Sequence, residues 1–137
     1  MHLENSSAEI LFRLLRLALG CESEGVLSET VDWNGVVDLA FEQGVAALMV
    51  DGLGLRDEGN SLLESEELED LRYELFGEAL ACEDDYRKHQ QTIEKLAGLY
   101  RSEGIDMLLL KGYGLSLNYP VPEHRPSGDI DIYLYGK

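Results

Sequence analysis

The sequence predicts an α+β chain: a mainly helical region over residues 1–101, followed by strand, helix, loop and strand over 102–137. Three observations carry that expectation. Apolar residues recur at steps of three and four from Ser6 to Ser102, the spacing of one helical face. The period then breaks at Ser102-Glu103-Gly104 and an apolar run, Ile105 to Leu110, follows. Last, Gly128-Asp129-Ile130-Asp131-Ile132-Tyr133-Leu134 alternates carboxylates with apolar side chains, the two-residue period of a strand.

Taken in order, Ser6 or Ser7 can cap a first helix whose face Ile10, Leu11, Leu14, Leu15, Leu17 and Ala18 runs to Gly20. Asp32 can cap a second, with Trp33, Val36, Val37, Ala40 and Phe41 turned inward and Gly44 as its stop. Val45 to Leu53 reads as a short third helix, and the glycine-rich Asp51 to Asn60 as a loop. A long helix starts near Ser65, with Glu66 and Glu67 in its first turn or with a Ser61–Glu64 capping box. Its face is Leu68, Leu71, Leu75, Ala79, Cys82, Tyr86, His89, Ile93, Leu96 and Tyr100. Unbroken to Ser102 it would span about 55 Å, so it is expected either to bend near Gly77 or to run past the rest of the domain. Beyond it come a buried strand at 105–110, a helix from Tyr113 to Tyr119 packing Leu115 and Leu117, and a proline-punctuated loop, Pro120 to Ser127. The final strand takes in Asp129 and Asp131 on one face and sends Ile130, Ile132 and Leu134 to the core.

Composition narrows the partners. The 137 residues carry a net charge of −16, which repels a polyanion, so a nucleic acid gripped by its phosphates is disfavoured. A small metal-bound nucleotide remains compatible, because the ion compensates charge locally. The acidic residues cluster at Glu64, Glu66, Glu67, Glu69, Asp70, Glu74 and Glu78 and again at Glu83, Asp84 and Asp85, which reads as the solvated outer face of one helix. Cys21 and Cys82 match no metal or redox spacing and are expected to be reduced and buried. Met1 to Asn5 lacks the basic start of a signal peptide, and no apolar stretch is long enough to span a bilayer; a cytoplasmic protein with no membrane partner is expected.

The chemistry concentrates near the end of the chain. Two carboxylates side by side on a strand are unfavourable unless a cation lies between them, and hard carboxylate oxygens suit magnesium. Asp129 and Asp131 are therefore candidate metal ligands and catalytic residues. Leu108-Leu109-Leu110-Lys111-Gly112 ends an apolar run on a glycine, as a strand does where its tip meets a phosphate-bearing ligand. Lys111, Gly112, Arg125 and Gly128 are the candidate substrate-binding residues.

Leu110-Lys111-Gly112, Tyr119-Pro120, Arg125 and Gly128-Asp129-Ile130-Asp131-Ile132, in that order, resemble the signature of the uncharacterised bacterial nucleotidyltransferase family within the polymerase-beta-like superfamily. Trp33 and Gly44-Val45-Ala46-Ala47-Leu48 are similar to that family's N-terminal part. The resemblance implies a mixed sheet flanked by helices, of which residues 102–137 form the first, incomplete portion. It also implies magnesium as cofactor, a nucleoside triphosphate as donor and a hydroxyl-bearing acceptor that displaces pyrophosphate. In that chemistry positioning and charge supply most of the rate.

Tyr113 follows Gly112, and Asp129 comes well beyond the ten-residue spacing of the wider superfamily, a longer interval that fits the narrower family. The superfamily resemblance also calls for a third carboxylate on a later strand, where the chain offers only Ile132-Tyr133-Leu134-Tyr135-Gly136-Lys137; the chain as given is expected to be inactive alone. Each residue has a plainer reading. The aspartates could face solvent from an edge strand, Lys111 could end in water, Arg125 could pair with Asp129 to orient the loop, and Gly112 and Gly114 could serve only the turn. His89 and His124 lack partners at metal spacing and read as incidental. The alternative function is a non-catalytic helical interaction protein with a degenerate motif, binding a partner or a second copy through its long helix.

Overall fold

A computed structural model describes residues 6–21, 30–57, 63 and 65–136. The expected Ser61–Glu64 capping box and the reading of Met1 to Asn5 lie outside the described residues. The chain is mainly helical with one small antiparallel sheet, as the α+β expectation requires. Two compact units are present, Met1–Leu80 and Ala81–Lys137, and the boundary falls within the longest helix.

The first unit is all helical. In α1 (Ser7–Ala18), the Ser6 hydroxyl accepts from the Glu9 amide while the Glu9 carboxylate accepts from the Ser6 amide, a reciprocal capping box. Ile10, Leu11, Leu14 and Ala18 form its buried stripe. α2 (Trp33–Glu42) starts on Asp32, whose carboxylate accepts from the Gly35 amide, and ends before Gly44 at φ +68°. Val36, Val37 and Ala40 are buried, but Phe41, expected inside, is exposed.

α3 (Ala46–Leu53) buries residues 46–50 and Leu53, so it is apolar nearly all round and runs through the middle of the unit. It matches the short helix expected over Val45 to Leu53, so Asp51, Gly52 and Leu53, where the expected loop overlapped that helix, are helical, and it ends on Gly54 in the left-handed region. The reason is tertiary: α3 packs chiefly on α1, and a Cβ at Gly52 would fall inside the contact radius of the Leu14 carbonyl oxygen. Glycine permits that approach and so belongs to the helix interface rather than to a turn.

A short 3₁₀ turn, Glu66–Leu68, leads into α4 (Glu69–Ser102), whose 34 residues span about 51 Å. The helix continues through Gly77. Leu71, Leu75 and Ala79 are buried in the first unit, and Tyr86 and Ile93 in the second, all on the face that the sequence marks. Cys21 and Cys82 are both free thiols, but Cys21 lies exposed and Cys82 only half-buried, so the expected burial does not hold.

In the second unit β1 (Asp106–Leu110) pairs antiparallel with β2 (Asp131–Tyr135), Leu110 opposite Asp131 and Leu108 opposite Tyr133. α5 (Gly112–Ser116) follows β1, and a 3₁₀ turn, Pro122–His124, interrupts the loop expected to be wholly irregular. Three expectations are corrected here. β1 is open on one face rather than buried, with Leu108 and Leu110 exposed. β2 starts at Asp131, leaving Asp129 before the ladder, and Leu134 is exposed rather than in the core. The helix ends at Ser116, and Leu115 and Leu117 are 51% and 62% exposed while Ser116 is buried in their place. A two-stranded sheet has one covered face at most here, so half of each alternating strand stays open. Among the described residues no helix is long and apolar enough to cross a membrane.

Candidate active site

The glycine turn and the aspartate strand meet through the strand register. Leu110 and Asp131 are direct partners in the ladder, so Lys111, one residue past the end of β1, lies beside the first residue of β2. Its Nζ is 3.3 Å from Asp131 Oδ2, with both side chains well exposed to water. Two backbone features make the turn. Lys111 has φ +53° and ψ −150°, a conformation that non-glycine residues rarely hold, and Gly112 has φ +39°. A Cβ on Gly112 would lie 3.5 Å from the Asp129 carbonyl oxygen, so the turn passes directly beside the backbone of the second aspartate. The sequence motif thus becomes one place.

By the two-residue period, Asp131, Tyr133 and Tyr135 share a sheet face with Leu110, Leu108 and Asp106. That face is open, and the rings of Tyr133 and Tyr135 stack with centroids 6.2 Å apart. A narrow crevice of about 10 Å³ lies between the turn and the strand start, lined by His89, Gly112, Gly128, Asp129 and Asp131 among others. It has room for about one water, so any nucleotide would lie at its mouth and not within it.

Helix α4 fixes this segment by three polar side chains spaced three residues apart. Glu83 Oε1 accepts from His124 Nε2 at 2.8 Å, and the imidazole is fully buried. The Tyr86 hydroxyl is 3.1 Å from Ser116 Oγ, and the Ser116 hydroxyl also donates to the Tyr113 carbonyl. His89 Nε2 is 2.7 Å from the Gly128 carbonyl oxygen, and its Nδ1 is 2.9 Å from the Asp85 carbonyl oxygen. Tyr113 stacks on Tyr86 with ring centroids 5.1 Å apart; burial, and then Tyr86, hold its phenol above the ordinary tyrosine range.

The six predicted residues separate into two groups. Lys111, Gly112, Gly128, Asp129 and Asp131 converge around the crevice. Arg125 does not join them: its guanidinium lies 5.9 Å from the centre of the Tyr119 ring and it donates to the Pro126 carbonyl. No ion pair to Asp129 is found among the described residues, so Arg125 does not orient the loop in the way expected. His89 and His124, read as incidental, are both structural donors. For His89 the signal was its place on the apolar face of α4, three residues from Tyr86; for His124 nothing local announced its burial or a partner 41 residues away.

The matching family model, described as uncharacterised nucleotidyltransferase, covers residues 29–136. The chain belongs to that family. The match takes in α2 to β2, hence both the helical lead-in and the whole aspartate motif. Searches of the curated proteins and of the solved structures give no match. For this nucleotidyltransferase family member the fit of a divalent cation can be weighed on its own side chains. Asp129 and Asp131 offer hard oxygens of the right chemistry, and Asp131 already faces a cation in the Lys111 ammonium. Among the described residues no group of three or more acidic, histidine or cysteine side chains is placed to hold a metal. The donor set therefore fits an ion that takes its other ligands from water and phosphate, and does not fit a closed protein cage.

Proposed function

We propose that the chain holds a nucleoside triphosphate through magnesium at Asp129 and Asp131, as the donor half of a site for transferring a nucleoside monophosphate to a hydroxyl acceptor. The observation that carries this reading is the meeting of Lys111 and Asp131 across the end of the β1–β2 ladder, with the glycine turn against the Asp129 backbone. Magnesium, when bound, would supply charge neutralisation to the triphosphate oxygens. Lys111 would then give up Asp131 and pair with a phosphate oxygen, since both side chains are solvent-exposed and can exchange partners. Gly112 and Gly128 leave backbone approach open on either side of the crevice. Arg125 has no part in phosphate binding in this arrangement.

Two carboxylates hold magnesium only loosely, and the absence of a third donor among the described residues supports binding without transfer by the chain alone. Calorimetry should show weak magnesium uptake that tightens when a nucleoside triphosphate is added. Asp129→Asn and Asp131→Asn should each weaken the joint binding about tenfold or more, the loss of one charged ligand. Radiolabelled triphosphate incubated with the chain and cell extract should leave no labelled acceptor. A folded protein giving no heat with the ion and triphosphate together would end the donor-site reading, and robust labelling would end the claim of binding alone.

A second reading, a non-catalytic interaction protein, draws on the large apolar side chains exposed along α4, Tyr73, Leu80 and Leu99. It expects calorimetry to register no nucleotide.

A further inference from the structure

We infer that His89 is a positioning residue for the aspartate pair, a proposal that rests on the cation reading of Asp129 and Asp131. The argument starts from the chain just before β2. Residues 127–130 lie outside the ladder, so no strand hydrogen bond fixes where Asp129 is placed. Asp129 is exposed, and no ion pair of its carboxylate is found among the described residues. A carboxylate on such a segment would lose conformational freedom on binding an ion, and the affinity would fall by that cost.

Among the described residues, one side-chain hydrogen bond crosses from α4 to this segment, at the residue immediately before Asp129. His89 Nε2 lies 2.7 Å from the Gly128 carbonyl oxygen, an acceptor only, so the bond requires a proton on Nε2. The ring is carried by α4, and its Nδ1 lies 2.9 Å from the Asp85 carbonyl oxygen one turn back; both carbonyls accept only, so making both contacts hydrogen bonds takes a proton on each nitrogen. An anchored donor that seizes a peptide fixes the orientation of its plane, and the Gly128 peptide plane sets the direction in which Asp129 leaves. Glycine at 128 makes the anchor necessary, because that residue's backbone would otherwise range over more conformations than any other. On the other side, the Gly112 turn closes on the Asp129 carbonyl. The segment thus has its anchor at the Gly128 carbonyl, with the Gly112 turn lying beside the Asp129 carbonyl, and the Asp129 carboxylate makes no ion pair among the described residues.

The role can be separated from packing by the choice of replacement. Glutamine at 89 places an amide N–H near the position of Nε2, whereas asparagine reaches only as far as Nδ1; methionine keeps bulk and has no donor. Wild type, His89→Gln, His89→Asn and His89→Met would be compared by Mn²⁺ binding, using the paramagnetic resonance signal of the free ion, and by amide hydrogen exchange at residues 129–131. Circular dichroism melts would report the fold. His89→Asn and His89→Met should weaken Mn²⁺ binding about fivefold, the worth of one hydrogen bond, and speed exchange at 129–131, while His89→Gln stays within about twofold of wild type. Equal impairment of all three variants would overturn the proposal, since the ring would then act by shape. So would wild-type exchange and binding in His89→Asn and His89→Met. Exchange that responds as expected in a protein taking up no Mn²⁺ would overturn the cation reading while upholding the His89–Gly128 anchor.

Discussion

His124 has no accessible surface, although it follows Pro122 and precedes Pro126 in a segment that reads as loop. Its burial follows from Glu83: an imidazole removed from water needs a partner, and the carboxylate at 2.8 Å supplies one. His124→Ala removes that hydrogen bond and leaves a cavity where the ring was, so the protein should lose about 3 kcal/mol of stability, read as a fall in the urea midpoint. An unchanged midpoint would mean that the loop does not depend on the pair. Legibility at this scale divides by the range of the contact. That Lys111, Gly112, Asp129 and Asp131 lie together could be anticipated, because their spacing repeats a strand and a turn. Glu83 could not, since an acidic residue among Asp84 and Asp85 looks like solvated surface until a histidine 41 residues away turns out to face it. For Arg125 the motif position was clear, but its planar guanidinium lies over the Tyr119 ring and apart from the aspartates, a contact that the sequence did not announce.

Among the elements, glycines at 52 and 77 look alike in the sequence, each within a helical period, yet they do different things. At Gly52 the α1 backbone, through the Leu14 carbonyl, occupies the space where a Cβ would be. At Gly77 nothing lies within 4 Å of that position. Gly52→Ala should therefore push α3 off α1 and cost about 3 kcal/mol or more. Gly77→Ala should raise stability by about 0.5–1 kcal/mol, because alanine gains helix propensity with no clash. Chemical denaturation of the two variants tests both signs, and a stabilising Gly52→Ala would show that the two helices do not approach as closely as described. The inward stripe of α4 was legible because a long helix repeats its own signal, and Leu71, Leu75, Ala79, Tyr86 and Ile93 of the marked face are buried. The strands carried less. Alternation in 106–110 and 131–135 fixes which residues share a face, as the register bears out, but it does not say whether anything covers the second face. Leu108, Leu110 and Leu134 were expected in a core and are exposed.

For the molecule as a whole, the net charge of −16 over 137 residues is the property that touches every measurement on the site. Most of the acidic side chains along α4 are exposed, and single pairs such as Asp84–Lys88, at 2.6 Å but on the open surface, offset little of their repulsion. Lys88, by hydrogen bond and charge, draws the Asp84 carboxyl below its ordinary range, which shows attraction within the pair and leaves the excess of the surrounding carboxylates untouched. Self-repulsion of this kind is long-ranged at low salt and is screened within about 10 Å at 0.1 M. Potassium chloride raised from about 10 mM to about 300 mM should therefore stabilise the fold by about 1 kcal/mol, roughly 4 °C in melting temperature. The same field will gather magnesium loosely over the whole surface, so part of any stabilisation by that ion at low salt has no connection with Asp129 or Asp131. Screening separates the two contributions. Asp129→Asn removes one of 27 acidic residues and leaves the diffuse field nearly intact. Wild type and Asp129→Asn should thus gain similarly from a few millimolar magnesium at 10 mM salt. At 150 mM salt with a nucleoside triphosphate present, only the wild type should retain the gain. Equal retention by both proteins at 150 mM would place the bound ion elsewhere on the acidic surface, and a melting temperature that stays flat or falls with potassium chloride would show that the charge excess is not what limits the fold.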